Sequence, residues 1–152
     1  MNRHRLASLV AALFALSLSV TAQEKKVAEK DVPKAVLAAF KSTYPNATIR
    51  GYSREKENGK VYYEIESMEG EIGRDVLYNP DGTVAEIEET IAPSDLPPAV
   101  SAAFRRLHPE AIIKKAEKIS RDGQTEYEIT AKEGKRRIEL EFDSDGNPLK
   151  KP

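Results

Sequence analysis

Cysteine and tryptophan are absent from the 152-residue chain, and histidine occurs only at His4 and His108. Without a thiol there is no disulfide framework, no thiolate metal site and no lipid anchor on a cysteine, so stability must come from burial. Long apolar runs are missing as well. The one candidate, residues 6–20, is about 15 residues long where a spanning helix needs about 20. No glycine-rich phosphate loop is present, and no serine sits in a nucleophile-elbow pattern. Neither sign of charge prevails, with 24 basic against 25 acidic residues. The two signs are interleaved, as in "SREKEN" and "EGKRRIELEFD", which argues against a nucleic-acid or anionic-membrane binder.

What is present begins with an address. Arg3, His4 and Arg5 precede the apolar run, and Val20-Thr21-Ala22 is a small-residue cleavage pattern, so residues 1–22 read as a secretory signal cut before Gln23. Its removal takes Arg3 and Arg5 away and leaves 22 basic against 25 acidic residues, and no membrane anchor is expected to persist. Residues 23–30 are expected to be a mobile lead-in.

A duplication organises the rest. Shifting the chain by 64 positions aligns 31–82 with 95–146 without a gap, and 18 of those 52 positions are identical. Each copy is expected to open with an N-cap aspartate, Asp31 or Asp95, and a proline in the first helical turn. Val36, Leu37, Phe40 and Tyr44 then share a helical face, repeated by Val100, Phe104 and Leu107, before Pro45 and Pro109 end each helix. Asn58-Gly59 and Asp122-Gly123 mark tight hairpin turns, with Asp81-Gly82 and Asp145-Gly146 doing the same later. Between turns, alternation sends Val61, Tyr63 and Ile65 to one face, matched by Tyr127 and Ile129, while Val76 and Tyr78 match Leu140 and Phe142. The fold class expected is α+β: a tandem repeat of one helix plus a four-stranded antiparallel meander, with both helices on one sheet face. Repeat one is placed at 31–91, a linker at 92–94 and repeat two at 95–152, its last strand short or missing.

These residues also carry a resemblance. An export signal followed by two units reading "P..V..AF...(Y/H)P.A" and ending "(Y/F)....DG" resembles the PepSY-like family of exported bacterial proteins, also described as beta-lactamase-inhibitor-protein-like. Pro33, Val36, Phe40, Pro45, Ala47, Gly59, Tyr63, Asp81 and Gly82 carry it, with their partners 64 positions on. The resemblance covers about residues 28–150. It implies a non-enzymatic periplasmic or secreted module with two units side by side and a saddle-like sheet suited to a protein or peptide. Inhibition of a beta-lactamase is not implied, since no loop here matches one that performs it.

Candidate chemistry is sparse. His108 replaces Tyr44 at a helix end, and that position reads as structural. "DSDGN" at 143–147 puts its glycine too early for a calcium loop and reads as a turn. Glu64 and Glu66, like Glu126 and Glu128, are expected to pair with Lys and Arg on neighbouring strands. No cofactor or metal is called for. One asymmetry stands out: Tyr52, Arg54, Tyr62, Met68 and Leu77 correspond to Ala116, Lys118, Glu126, Lys132 and Glu141 in the second copy. These five are expected on the helix-free face as a partner-binding surface, against the plainer reading that the tyrosines pack across strands. The functions in view are an exported binding module for protein or peptide, possessing no enzymatic activity and resembling an inhibitor; a carboxylate-dependent hydrolase; or an envelope-stress protein without a defined ligand.

Overall fold

The computed structural model describes residues 24–149, so the signal expected over 1–22 lies outside the described residues. Among them, no helix is long and apolar enough to cross a membrane. Two ten-residue helices, α1 (Lys34–Thr43) and α2 (Pro98–Leu107), pack on one antiparallel sheet. The strands are β1 (Lys25–Lys26), β2 (Thr48–Glu57), β3 (Lys60–Glu69), β4 (Ile72–Tyr78), β5 (Val84–Ile91), β6 (Ile112–Arg121), β7 (Gln124–Glu133), β8 (Arg136–Asp143) and β9 (Pro148–Leu149). They lie in sequence order, β1 through β9, as a single continuous sheet.

Each helix starts two residues later than the aspartates predict. A residue before proline is driven out of the helical region, and Val32 and Leu96 are extended, at φ −86°, ψ 135° and φ −61°, ψ 138°. Pro33 and Pro97 therefore occupy the N-cap positions, and neither cap has a side-chain hydrogen bond. Asp31 and Asp95 instead end short 3-10 turns, Glu29–Asp31 and Pro93–Asp95. The extended backbone points Val32 and Leu96 inward, each 5% exposed.

The repeat is built differently from a helix followed by four strands of its own. The same 64-residue shift that relates the helices relates β1 to the end of β5: Lys25 opposes Arg54 as Glu89 opposes Lys118, and Lys26 opposes Ser53 as Thr90 opposes Glu117. The repeating element is thus strand, 3-10 turn, helix and three strands. Strand β5 closes the first unit and opens the second. Of residues 23–30, expected as a mobile lead-in, the described part from residue 24 contains β1, and the Val27 amide donates to the Tyr52 carbonyl at 3.0 Å. The 92–94 stretch, expected as a linker, runs into the second 3-10 turn. Strand β9 runs over Pro148–Leu149, up to the last described residue.

Each helix covers its own cluster on the same sheet face. Val36 and Phe40 of α1 meet Ile65, Val76 and Tyr78, while Val100, Ala103 and Phe104 of α2 meet Ala116, Ile129, Ala131, Ile138 and Phe142. Ile87 and Ile91 of β5, on the same face of that strand, pack against the first and second cluster respectively. Leu107, in register with the inward face of α2 but at its last residue, is 47% exposed and does not join the cluster. The turns behave as predicted: Asn58 and Gly59 lie at φ 50° and 81°, Asp122 and Gly123 at φ 50° and 75°.

Gly82 and Gly146 serve a second purpose. Each turn leans on the first turn of its helix, so that a Cβ on Gly82 would lie 2.8 Å from the Ala35 carbonyl oxygen and one on Gly146 2.5 Å from that of Ala99. Both also hold positive φ, 89° and 82°. Gly146→Ala is therefore expected to cost about 2–4 kcal/mol, combining strain and a backbone clash. Gly123→Ala meets open space and should cost only about 1 kcal/mol of strain. Equal losses for the two variants in urea denaturation would contradict this account of the Asp-Gly turns.

Candidate interaction surface

The helices leave one face of the sheet uncovered, and the strand registers decide which side chains reach it. In β2, Ile49 opposes Ser67, but Gly51 opposes Glu66, so the ladder slips by one residue at Arg50. Such a bulge reverses the alternation beyond it. Tyr52 then opposes Ile65 and Arg54 opposes Tyr63, which puts both on the helix side. That corrects the expected placement of Tyr52 and Arg54 on the helix-free face. Tyr52 packs against the α1 cluster. Burial pushes its hydroxyl pKa up, assisted by a hydrogen bond with Glu29. The second copy has the same slip between Ile113 and Lys115, and Ala116 there is 1% exposed under α2. Tyr52 is thus a packing residue, while Arg54 is exposed on the helix side.

Tyr62, Met68 and Leu77 do lie on the helix-free face. Tyr62 and Leu77 line one cavity of about 320 Å³ together with Glu57, Val84, Glu86 and Arg121. Met68 stands at the other end of β3, six residues and so about 20 Å from Tyr62. It lines a separate cavity of about 280 Å³ with Arg50, Asp75, Lys115 and Glu117. The five expected residues therefore separate into a pair that shares a cavity, one distant member, and two on the opposite face.

Between those cavities lie carboxylates. Glu66 directly opposes Asp75, and Asp75 directly opposes Glu88. A second row runs Glu117, Glu128, Glu141 across β6, β7 and β8. The expected cross-strand pairing with Lys and Arg is thus not the rule, because like charges face each other at Cβ separations of about 4.5–5.5 Å. Cations reach this face from its margins and along diagonals: Lys26 to Glu66 at 3.2 Å, Lys115 to Glu117, and Arg121 to Glu126 at 3.1 Å. Arg121 Nε also lies 3.2 Å from Glu86, close enough for an ion pair though too bent for a hydrogen bond. Although no helix covers this face, Ile119 and Ser53 are buried in it, at 1% and 0% exposed, beneath longer neighbours. Ser53 Oγ donates to Glu64 at 2.6 Å.

Partial burial of these acids has an electrostatic consequence. Burial, then a hydrogen bond shared with Glu86 and repulsion from Glu86, Glu117 and Glu128, pushes Glu88 up to about 8. Burial and the nearby Glu64 push Glu55 up to about 7. Glu64 and Asp75 are raised as well, chiefly by burial, with the Ser53 hydrogen bond opposing the shift at Glu64 and Lys115 opposing it at Asp75. Sequence reasoning passed over Asp75, Glu86, Glu88 and Glu117. The alternation in "EIEETI", residues 86–91, was the available signal, since the isoleucines it turns toward the helices leave Glu86 and Glu88 on the other side.

Elsewhere the chemistry is structural. His108 Nδ1 sits 3.3 Å from a Glu133 carboxylate, and its ring packs 5.8 Å from that of Phe104, at the end of α2. Asp143 accepts hydrogen bonds from the amides of Asp145 and Asn147, both at 2.9 Å, and from the Asn147 side chain, which makes "DSDGN" a closed turn. Carboxylate oxygens of Glu24, Glu64 and Glu66 lie within 4.8 Å of one another, and the Lys26 ammonium already occupies one side of Glu66.

Comparisons with known proteins agree with this architecture. A family model described as "Putative beta-lactamase-inhibitor-like, PepSY-like" matches residues 18–84 and 61–150. Its two matches overlap over residues 61–84. Among solved structures, one similar to this chain is a putative periplasmic protein from Bacteroides eggerthii DSM 20697, 18% identical with a TM-score of 0.65 over 78% of this chain and 86% of that one. Another is a BLIP-like protein from Bacteroides fragilis NCTC 9343, 24% identical with a TM-score of 0.59 over 78% and 84%. A DUF2874 family protein from Bacteroides ovatus ATCC 8483 gives 19% and 0.63 over 78% and 85%. No curated protein matches the chain.

Proposed function

Because the chain belongs to the PepSY-like, beta-lactamase-inhibitor-like family, we propose that it is an exported, non-enzymatic binding module that docks a protein or peptide on the helix-free face of its sheet. One observation carries the reading: both helices cover the same face, leaving the other open with two cavities and partly buried Tyr62, Met68 and Leu77. Apolar groups of that size on an open sheet face carry a solubility cost that a partner offsets. Export is supported by the basic, apolar and small-residue order of residues 1–22, and by the likeness to a putative periplasmic protein. The periplasm is accordingly the proposed site of action.

A photo-cross-linking residue placed at Leu77 tests the docking face in living cells. It should yield one discrete adduct, whereas the same residue at Ala102, exposed on the outer side of α2, should yield none. The same adduct from both positions, or none from Leu77, would refute the assignment.

A further inference from the structure

We infer that the segment docked on the helix-free face is rich in lysine and arginine and lies extended across the carboxylate rows. This rests on the proposal that this face is the docking surface, and it names the partner's chemistry. The first ground is geometric. Glu66, Asp75 and Glu88 are directly opposite one another on three adjacent strands, and the other direct neighbours of the row are Gly51 and Ile119, which carry no charge. Like charges in that arrangement destabilise a sheet. The row Glu117, Glu128 and Glu141 repeats the arrangement on the next three strands. Lys26 meets Glu66 and Lys115 meets Glu117, and a cationic ligand would add to that partial neutralisation.

The second ground is the cavity at the end of the face. Leu77 and Tyr62 offer an aliphatic wall and an aromatic ring, and the same lining sets the carboxylates of Glu57, Glu86 and Asp122 against the cations Lys60 and Arg121. That combination suits a long basic side chain, whose methylene stem packs on apolar surface while its charged end meets a ring face and carboxylates. Charge also decides between occupants. A second copy would bring the same acidic rows against these, and an anionic lipid surface or a nucleic acid would be repelled.

Binding of such a segment is coupled to protons. Glu88 is faced by Asp75 from β4, by Glu117 and Lys115 from β6 and by Glu128 from β7, with Glu86 beside it on β5, and Glu55 is faced by Glu64 from β3, Glu24 and Glu86, with Glu57 beside it on β2. Its value of about 8, and that of about 7 at Glu55, leave part of the face protonated near neutrality. A cation favours the ionised form and lowers these values, so docking releases protons. Affinity therefore rises as pH rises through about 7 to 8, well above the range where ordinary carboxylates titrate.

Titration calorimetry of the protein with a decalysine peptide tests the inference, with decaglutamate and calcium chloride alone as comparison titrants. Decalysine should bind with protons released to the buffer, and about tenfold more tightly at about pH 8.5 than at about pH 6. Glu86→Gln with Glu88→Gln should weaken it about tenfold and flatten the pH profile. Glu71→Gln, at the exposed β3–β4 turn, should leave both unchanged. The inference is overturned if decalysine fails to bind, if Glu71→Gln weakens it as much as the pair, or if calcium binds and displaces the peptide as a preferred ligand. A discrete adduct at Leu77 alongside any of those results would preserve the docking face while discarding the basic partner. Loss of the adduct removes both.

Discussion

Truncating Phe40 or Phe104 to alanine is expected to cost about 3–5 kcal/mol in either case. Each ring is 1% exposed and sits beneath a ten-residue helix too short to persist without docking. Phe40 meets the cluster of Ile65, Val76 and Tyr78, and Phe104 that of Ile129, Ala131 and Phe142. Removing either ring leaves a void between helix and sheet that neither the short helix nor the paired strands can close. The shared strand adds a second expectation. Because β5 pairs with β4 on one side and β6 on the other, loosening one unit exposes the edge of the next. Urea denaturation should give a single transition in both variants, with coincident fluorescence and circular dichroism curves and a lower midpoint. A biphasic curve would show two independent cores, and a nearly neutral Phe104→Ala would show that the two rings are not equivalent anchors.

These core positions were legible in the sequence because they obey local rules. A helical face spaced three and four residues apart, a proline after it, and Asp-Gly or Asn-Gly turns between alternating runs each specify local geometry, and the 64-residue shift states every one of them twice. What the sequence concealed depends on register between strands. The slip at Arg50 carries no distinctive residue beyond Gly51, yet it alone moves Tyr52 and Arg54 to the other face. The acidic rows are hidden for the same reason: Glu66, Asp75 and Glu88 are many positions apart in the chain and become neighbours only when β3, β4 and β5 pair. The cap assignment failed through competition between two local rules. Asp31 had the right side chain for capping, and the pre-proline restriction on Val32 prevented its use. Sharing of β5 was likewise invisible, because "KKVAEKD" and "ETIAPSD" agree at only two positions while superposing in structure.

The same comparison between copies exposes a feature that the pattern of apolar residues gives no reason to expect, and it yields the second large effect. Arg74 belongs to the helix-side row of β4, where its counterpart in the second unit is Ile138, a member of the α2 cluster. The arginine is buried all the same, with its side chain 8% exposed. Its Nε donates to Glu89 at 2.7 Å and its Nη1 to Glu69 at 3.3 Å, while its guanidinium carbon stands 4.1 Å over the Tyr44 ring. Arg74→Ile imports the second unit's residue but strips both carboxylates of their partner, and breaking a buried pair this way costs about 3–5 kcal/mol. The lower end is expected here, because Glu89 and Glu69 are 33% and 38% exposed and water can reach them. Adding Glu89→Leu to Arg74→Ile should recover most of the loss, since an apolar replacement of both partners removes the desolvation cost as well as the attraction. Tyr78→Phe, copying Phe142, should be nearly neutral, because the buried Tyr78 hydroxyl has no hydrogen-bond partner to lose. If Arg74→Ile is itself harmless in urea denaturation, the ion pairs contribute nothing and α1 is held by its apolar face alone. If the double variant is no better than the single, the cost lies in the lost packing of the guanidinium on Tyr44 rather than in unpaired charge.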